Sequence, residues 1–306
     1  MSYKAFDDFE LKFIEENVYV FDDVNQANEL MHNQWKVWQI RVALRFFDQQ
    51  CDDPLFDLLD PEIVNKSSNW YERSDMTNLI YPGNCGTVGI CMFRYTDKLD
   101  KVVLEPGILT IQQNAFYKSS LKSVVLPNTL KSIDGWAFAW CVNLTEVNIP
   151  DSVEQLDNSI FNCCKGLTKI KFPKSIARIP YQICNKCDNL VNVKMPDNCK
   201  VIGQEAFMNC TSLETITIPD GVEEIGEMAF FNTGIKVLEI PQSVKWIGKH
   251  IIGEWREGSN GWYATSNKSH KFKIRGLNKA EAREFAQNNI RFANSTTEAE
   301  FIRKLT

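Results

Sequence analysis

The sequence predicts an α+β protein: a solenoid of short parallel strands, preceded by a small helical domain and closed by a strand–helix–strand cap. Three observations support this prediction. A unit of 22 or 23 residues recurs through the middle of the chain, a non-repeating part rich in acidic residues precedes it, and a strand–helix–strand pattern follows it. A repeat of this period is typical of solenoids, in which each unit buries its apolar face only against its neighbours.

The segment SLETITIPDGVEEIGEMAFFNTG, residues 212–234, defines the repeat. Counted from Leu213, apolar residues stand at positions 1, 4, 6, 10 and 13, proline at position 7, and Ala-Phe at positions 17 and 18. A worn copy from Met76 brings the count to about eight repeats and predicts a solenoid over 71–253. The other copies are spaced by 22 or 23 residues and begin at Leu99, Leu121, Leu144, Leu167, Leu190, Leu213 and Ile235.

The spacing within the repeat indicates how each coil is built. Side chains alternate along a strand, so positions 4 and 6 face the core and positions 3 and 5 face outward. The proline at position 7 has no N–H and therefore ends the strand ladder. Positions 10 and 13 return the chain across the coil, and Gly226, at position 14, is expected to serve a turn.

Residues 1–70 do not match the repeat and predict a helical N-terminal domain that caps the first coil. The segment ANELMHNQWKVWQIRVALRFFDQQ has one apolar face that includes Trp35 and Trp38 and a second that includes Ile40 and Leu44. Two apolar faces indicate a helix that is buried on two sides.

After the last repeat, residues 254–292 predict an aromatic loop followed by a C-terminal cap. The segment FKIRGLNKAEAREFAQNNIRF contains Asn278 and, three residues later, Glu281, which is the pattern of a capping box. Such a cap covers the open edge of the last coil. Residues 293–306 predict a tail helix with Thr297 as its N-cap.

The phrase LxxIxIPxxVxxIGxxAFxxCxx resembles the BspA-like leucine-rich repeat family, in its 23-residue, proline-containing class, over about 76–253. The resemblance implies a leucine-rich-repeat solenoid that serves as a binding and adhesion scaffold, frequent on bacterial and protozoan surfaces. The N-terminus has no secretory pattern, so the expected location is cytoplasmic or within a particle, with an extracellular location ranked below.

Composition and charge restrict the functional classes. A net charge of −5 and a pI of about 5.4 do not indicate a nucleic-acid-binding protein. The sequence has no run of the roughly 20 apolar residues that a membrane span requires. Ten cysteines in a chain without an export signal indicate free thiols in a reducing compartment.

The CxxC formed by Cys184 and Cys187 is the main candidate for metal or redox chemistry. Both cysteines occupy core slots of the repeat, and Cys187 shares its slot with Cys141, Cys164 and Cys210. We therefore interpret them as small buried side chains and expect no metal site and no cofactor. The sequence contains no catalytic motif, so we predict that the chain is not an enzyme.

The outward strand positions are the first candidate binding surface. Residues 165–200 hold eight basic side chains against two acidic ones, which favours an acidic protein partner. The candidate residues of this strand face are Lys169, Lys171, Asn192, Lys194 and Thr217.

The predicted loop after the last repeat is the second candidate surface, because it carries Trp255, Trp262 and Tyr263. Aromatic side chains on loops often anchor partners, although these three could also fold back onto the last coil.

Three functions remain open at this point. The first hypothesis is a non-enzymatic scaffold that binds a protein partner. The alternatives are a structural subunit of a large assembly such as a virion, and a protein of surface adhesion or glycan binding.

Overall fold

The computed structural model describes residues 77–81, 83–258, 261–265 and 269–306. These residues form a parallel-strand solenoid with few helices, as the repeat predicts, and the solenoid has about seven turns where about eight repeats were expected. The helical domain predicted for 1–70 lies outside the described residues, as do Met76 and Pro82 of the worn first repeat.

Each coil contributes two short strands, except that the coil beginning at Leu213 contributes only one, and the C-terminal end adds a hairpin and two helices. The helices are α1 (Lys279–Asn289) and α2 (Ser295–Lys304). In chain order the strands are β1 (Asn78–Tyr81), β2 (Thr87–Val88), β3 (Lys101–Leu104), β4 (Thr110–Ile111), β5 (Ser123–Val125), β6 (Ser132–Ile133), β7 (Glu146–Asn148), β8 (Gln155–Leu156), β9 (Lys169–Lys171), β10 (Arg178–Ile179), β11 (Asn192–Lys194), β12 (Val201–Ile202), β13 (Glu224–Ile225), β14 (Val237–Ile240), β15 (Trp246–Ile247), β16 (Glu254–Gly258), β17 (Gly261–Thr265), β18 (Lys271–Ile274) and β19 (Arg291–Phe292).

The first strand of each coil builds one side of the solenoid. A six-stranded parallel sheet has the order β1-β3-β5-β7-β9-β11, and further along the chain β14 pairs with β18. Equivalent repeat positions stand side by side, because Val102 pairs with both Leu79 and Val124. The inward residues of these strands are buried, apart from the half-buried Val193 of β11, which confirms the predicted alternation.

The second strand of each coil builds another side, formed by the sheets β2-β4-β6-β8 and β10-β12-β13-β15-β19. These strands have two residues each, and position 13 is their inward residue. Ile225, for example, is fully buried and pairs with Ile202 and Ile247 of the adjacent coils.

The third segment of each coil is a series of tight turns around the Ala-Phe pair. The main-chain N–H of Phe116 donates to the carbonyl of Ala137 in the following coil at 2.7 Å, and Phe138 donates to Ile160 at 3.0 Å. The phenylalanine rings stack in a column, with centroids 5.1 Å apart for Phe93–Phe116 and for Phe116–Phe138. The predicted core slots are therefore confirmed by the packing.

The phenylalanine column is interrupted at Cys184, which stands in the same slot. Phe172, from the strand side of this coil, lies edge-on to Phe207 with centroids 6.3 Å apart. Phe172 therefore supplies an aromatic contact to Phe207 in the coil where the column has no phenylalanine.

The C-terminal cap forms as predicted. Strand β18 pairs with β14, α1 follows, and β19 pairs with β15, so both strand sides of the last coil receive a partner. Asn278 caps α1 in a capping box with Glu281, and Ala282 and Ala286 are buried. The cap therefore removes the open edge that the last coil would expose.

Helix α2 docks on this chain, but its N-cap differs from the prediction. The cap is Asn294, whose side chain accepts hydrogen bonds from the N–H and hydroxyl of Thr297, so Thr297 lies inside the helix. Phe301 stacks on Phe272 of β18 with centroids 4.6 Å apart. Within the described part of the chain, neither helix has the length and apolar character that a membrane crossing requires.

Candidate functional site

The strand face places the predicted basic residues in one regular array. Lys169 stands opposite Glu146 on one side and Asn192 on the other, and Lys171 stands opposite Lys194. Lys169, Asn192 and Lys194 are exposed and Lys171 is half-buried. Four of the five candidate residues of this face therefore lie on two neighbouring strands, β9 and β11.

Acidic side chains neutralise part of this face. The Nζ atom of Lys169 lies 3.9 Å from Glu146 Oε2, and that of Lys171 lies 3.7 Å from Asp151 Oδ1. The pKa of Asp151 is lowered, first by a hydrogen bond from the main-chain N–H of Lys174 and then by the charge of Lys171. Among the described residues Lys194 has no ion-pair partner, so its charge is free for a ligand.

Thr217 is exposed, but it lies outside the six-stranded sheet. The segment 213–218 is not paired as a strand, contrary to the prediction for its repeat. The carbonyl of Ile218 instead accepts a hydrogen bond at 3.0 Å from the guanidinium of Arg275, which follows β18. The regular array of outward side chains therefore ends at β11 and begins again at β14.

The segment predicted as an aromatic loop is an antiparallel hairpin, which corrects the prediction. Strands β16 and β17 pair over five residues each, with Trp255 opposite Ala264, Trp262 opposite Glu257 and Tyr263 opposite Arg256. The prediction of a loop failed because the glycines were interpreted as loop residues, whereas Gly258 and Gly261 pair next to the tip. The side chains of the three aromatic residues lie outside the described part of the structure.

A third surface, which the sequence did not reveal, lies on the turn segments of the first three coils. We call it the aromatic patch, and it consists of Arg94, Tyr95, Tyr117, Lys118, Trp136 and Trp140. The rings of Tyr95 and Tyr117 meet edge to face with centroids 5.9 Å apart, and Trp136 lies 6.5 Å from Tyr117. The signal was present as aromatic residues at repeat positions 16, 19 and 20, which flank the core Phe and face outward.

Two cations lie against the rings of the aromatic patch. The Nζ atom of Lys118 is 5.3 Å from the ring centroid of Trp140 and 5.6 Å from those of Tyr95 and Tyr117. The guanidinium carbon of Arg94 is 4.6 Å from the ring centroid of Tyr95, and its Nη2 donates to the Tyr95 hydroxyl at 2.9 Å. Cation–π contacts of this kind hold a positive charge on an aromatic surface.

The cysteines belong to the core, which confirms the interpretation made from the repeat. We call the four that share one repeat position, Cys141, Cys164, Cys187 and Cys210, the cysteine ladder. Cys184 and Cys187 are fully buried, and the Sγ atom of Cys187 donates to the carbonyl of Phe161 at 3.2 Å. Burial raises the pKa of both thiols above the ordinary cysteine value. The thiolate, and not the protonated thiol, acts as nucleophile and metal ligand. These two thiols stay protonated and are therefore unreactive in the folded chain.

Comparisons with known proteins agree with the architecture. A leucine-rich repeat protein from Bacteroides ovatus has 25% sequence identity and a TM-score of 0.57, and the match covers 71% of this chain and 51% of that one. The chain thus spans about half the length of that structure. The T. pallidum leucine-rich repeat protein has 23% identity and a TM-score of 0.49, over 52% of this chain and 77% of that one. A comparison with curated protein sequences gave no match.

The repeats also match a family model. The model of the BspA type leucine rich repeat region matches in six copies, over residues 65–191 and 178–304. These ranges include the solenoid and its C-terminal cap, and they confirm the resemblance carried by the repeat phrase. The chain therefore belongs to the BspA-type leucine-rich repeat family.

Proposed function

We propose that the chain is a non-enzymatic interaction protein that binds an acidic protein partner through its strand face. Leucine-rich repeat proteins are generally protein-interaction or surface repeat proteins, and the family is generally non-enzymatic. The observation that carries this proposal is the array on β9 and β11, where exposed polar side chains stand side by side on a rigid parallel sheet.

The charges of the array favour an acidic partner. Lys194 has no ion-pair partner among the described residues, and Lys169 and Lys171 have only long contacts with carboxylates, at 3.9 and 3.7 Å. Exposed pairs of this kind contribute little to stability, so a partner carboxylate can replace Glu146 or Asp151 at small cost. Charge complementarity would chiefly accelerate association and select the partner.

The test compares two double variants with equal changes of charge. The partner is first identified by affinity capture and mass spectrometry, and its dissociation constant is then measured with purified proteins. We expect Lys171→Glu with Lys194→Glu to weaken binding at least about tenfold, which corresponds to 1.4 kcal/mol. Thermal unfolding should hardly change, because both side chains point outward.

The control is Arg178→Glu with Lys186→Glu, which alters two exposed cations of the coil that contains Lys171, both outside the strand face. This variant should bind as the unmodified chain does. Equal weakening by both double variants would mean that only net charge matters, and unaltered binding by the first would remove the strand face as the site.

A further inference from the structure

We propose that the aromatic patch is a second docking surface, which binds an acidic peptide segment that carries aromatic or large apolar side chains. This inference does not rest on the strand face, because the two surfaces share no residue.

The first argument is the unneutralised charge of the patch. Neither Arg94 nor Lys118 forms an ion pair with a carboxylate anywhere in the described part of the chain. Lys122 and Lys131, in contrast, each lie 2.7 Å from a carboxylate oxygen of an adjacent coil. The Nε atom of Arg94 is in addition buried without a hydrogen-bond partner among those residues. Two cations held against rings and left without counter-charges favour a ligand that supplies carboxylates.

The second argument is the exposed apolar surface beside these cations. Trp140 is 38% exposed and Val142, two residues later, is 41% exposed. Tyrosine, tryptophan and arginine are the residues that most often carry the binding energy of protein interfaces. An apolar side chain on the ligand would cover this surface while neighbouring carboxylates meet Lys118 and Arg94.

The third argument concerns how long an anionic ligand the patch can bind. Asp134 lies two residues before Trp136, and Asp157 of the next coil lies beside it, since a Cβ at Gly135 would be 3.2 Å from Asp157 Oδ2. This acidic pair stands at one end of the patch and would repel a polyanion that continued past Trp136. The surroundings therefore favour a short segment with a few carboxylates over a nucleic acid or a sulfated polysaccharide.

The residues found at the same position of other coils show which substitutions the turn segments should tolerate. Lys118 and Trp140 both occupy repeat position 20, where φ is 56° and 63°. Asn209 and Asn232 occupy the same position with φ of 62° and 55°, and asparagine tolerates this left-handed conformation well. Lys118→Asn and Trp140→Asn therefore introduce a residue that this backbone already accommodates.

The experiment measures binding of a short random copolymer of glutamate and tyrosine, with only a few carboxylates per molecule, to the full chain by isothermal titration calorimetry. We expect binding that weakens with salt, and Lys118→Asn or Trp140→Asn should raise the dissociation constant at least about tenfold. The matched control is Lys186→Asn, which makes the same change at position 20 of a coil outside the patch, where φ is 60°. It should bind as the unmodified chain does.

Three results would overturn the proposal. They are no binding of the copolymer, equal binding by the patch variants and Lys186→Asn, and tighter binding of poly-glutamate without tyrosine. Heparin and a single-stranded oligothymidine are titrated in parallel. If either binds more tightly than the copolymer and loses affinity in the patch variants, the site belongs to a polysaccharide or a nucleic acid, and the peptide assignment is wrong.

Discussion

At the scale of single residues, the coils turn through left-handed backbone conformations that non-glycine side chains adopt. Two residues in the turn segment of every coil but the last have positive φ, as in Trp136 (62°) and Trp140 (63°). Such conformations cost on the order of 1 kcal/mol for residues with a Cβ. The cost is offset because the main-chain N–H of each donates to the next coil, at 3.2 Å to Asn158 and 2.7 Å to Asn162.

Gly226 gives a residue-scale prediction that also corrects its expected role. Its φ is not positive, so it is not required by a turn. A Cβ at this position would lie 2.4 Å from the nitrogen of Gln204 in the preceding coil. Gly226→Ala should therefore force the coils apart and lower the free energy of unfolding by about 1–3 kcal/mol, measured by urea denaturation.

Gly221→Ala is the control for this prediction. A Cβ at Gly221 would have its nearest neighbour, the flexible Lys200 Nζ, at 3.4 Å. This variant should change stability by less than about 0.5 kcal/mol. Equal losses of stability for the two substitutions would contradict the role assigned to the contact between coils, because the lost flexibility of glycine by itself favours the folded state.

The direction of a side chain could be predicted from the sequence, whereas its contacts with the next coil could not. The strand face was predictable, because proline and alternation fix which side chains face outward. The pairing of Lys171 with Asp151 was not, since it depends on the path of the turn in the preceding coil. The aromatic patch was missed for a similar reason: Tyr117 and Trp136 differ in repeat position and meet only when two coils stack.

At the scale of elements, the cap shows which signals in a sequence are specific. The pattern Asn278–Glu281 before an apolar face predicted α1 and its start correctly. The start of α2 was misplaced because Asn294, Ser295, Thr296 and Thr297 can all cap a helix. The choice depends on where β19 ends, and pairing with β15 determines that end.

The capping box of α1 gives the element-scale prediction. The side-chain oxygen of Asn278 accepts from the N–H groups of Ala280 and Glu281, at 3.0 and 3.1 Å. Asn278→Ala leaves both donors without this partner and should cost about 1 kcal/mol in unfolding experiments.

Asn289→Ala tests whether the lost free energy of unfolding comes from the cap. It makes the same chemical change in the last turn of the same helix, where the side chain donates to the carbonyl of Phe285 at 3.0 Å. Alanine is the better helix former there, so the expected change is near zero. A cost equal to that of Asn278→Ala would contradict the role assigned to the cap.

At the scale of the whole molecule, one column of small polar side chains runs through successive coils. Its middle members are thiols, and Cys141 and Cys164 each donate to a carbonyl of the preceding coil at 3.0 Å. Its outer members are hydroxyls, because Thr96, Ser119 and Thr233 occupy the same repeat position. The hydrogen bonds of the column join successive coils. Ionisation of its thiols should therefore lower the stability of the whole solenoid.

The last prediction is therefore a loss of stability in alkaline solution. Burial raises the pKa of Cys141 to about 12 from an ordinary value near 9, and burial also raises the pKa values of Cys164, Cys187 and Cys210. Above pH 9 the unfolded chain ionises thiols that the folded chain keeps protonated. The folded state then binds more protons, so its stability is full below pH 9 and falls as the pH rises towards 12.

Each ladder thiol adds up to about 1.4 kcal/mol per pH unit to this slope. Replacing all four with serine, which already stands in the column at Ser119, should flatten the dependence of the unfolding free energy between pH 9 and 11. Thr233→Ser, which keeps a hydroxyl in the column and removes no thiol, is the control and should leave the slope unchanged. Parallel curves for the four-serine variant and the unmodified chain would mean that lysines and tyrosines cause the alkaline loss, and that the buried thiols do not couple the coils to pH.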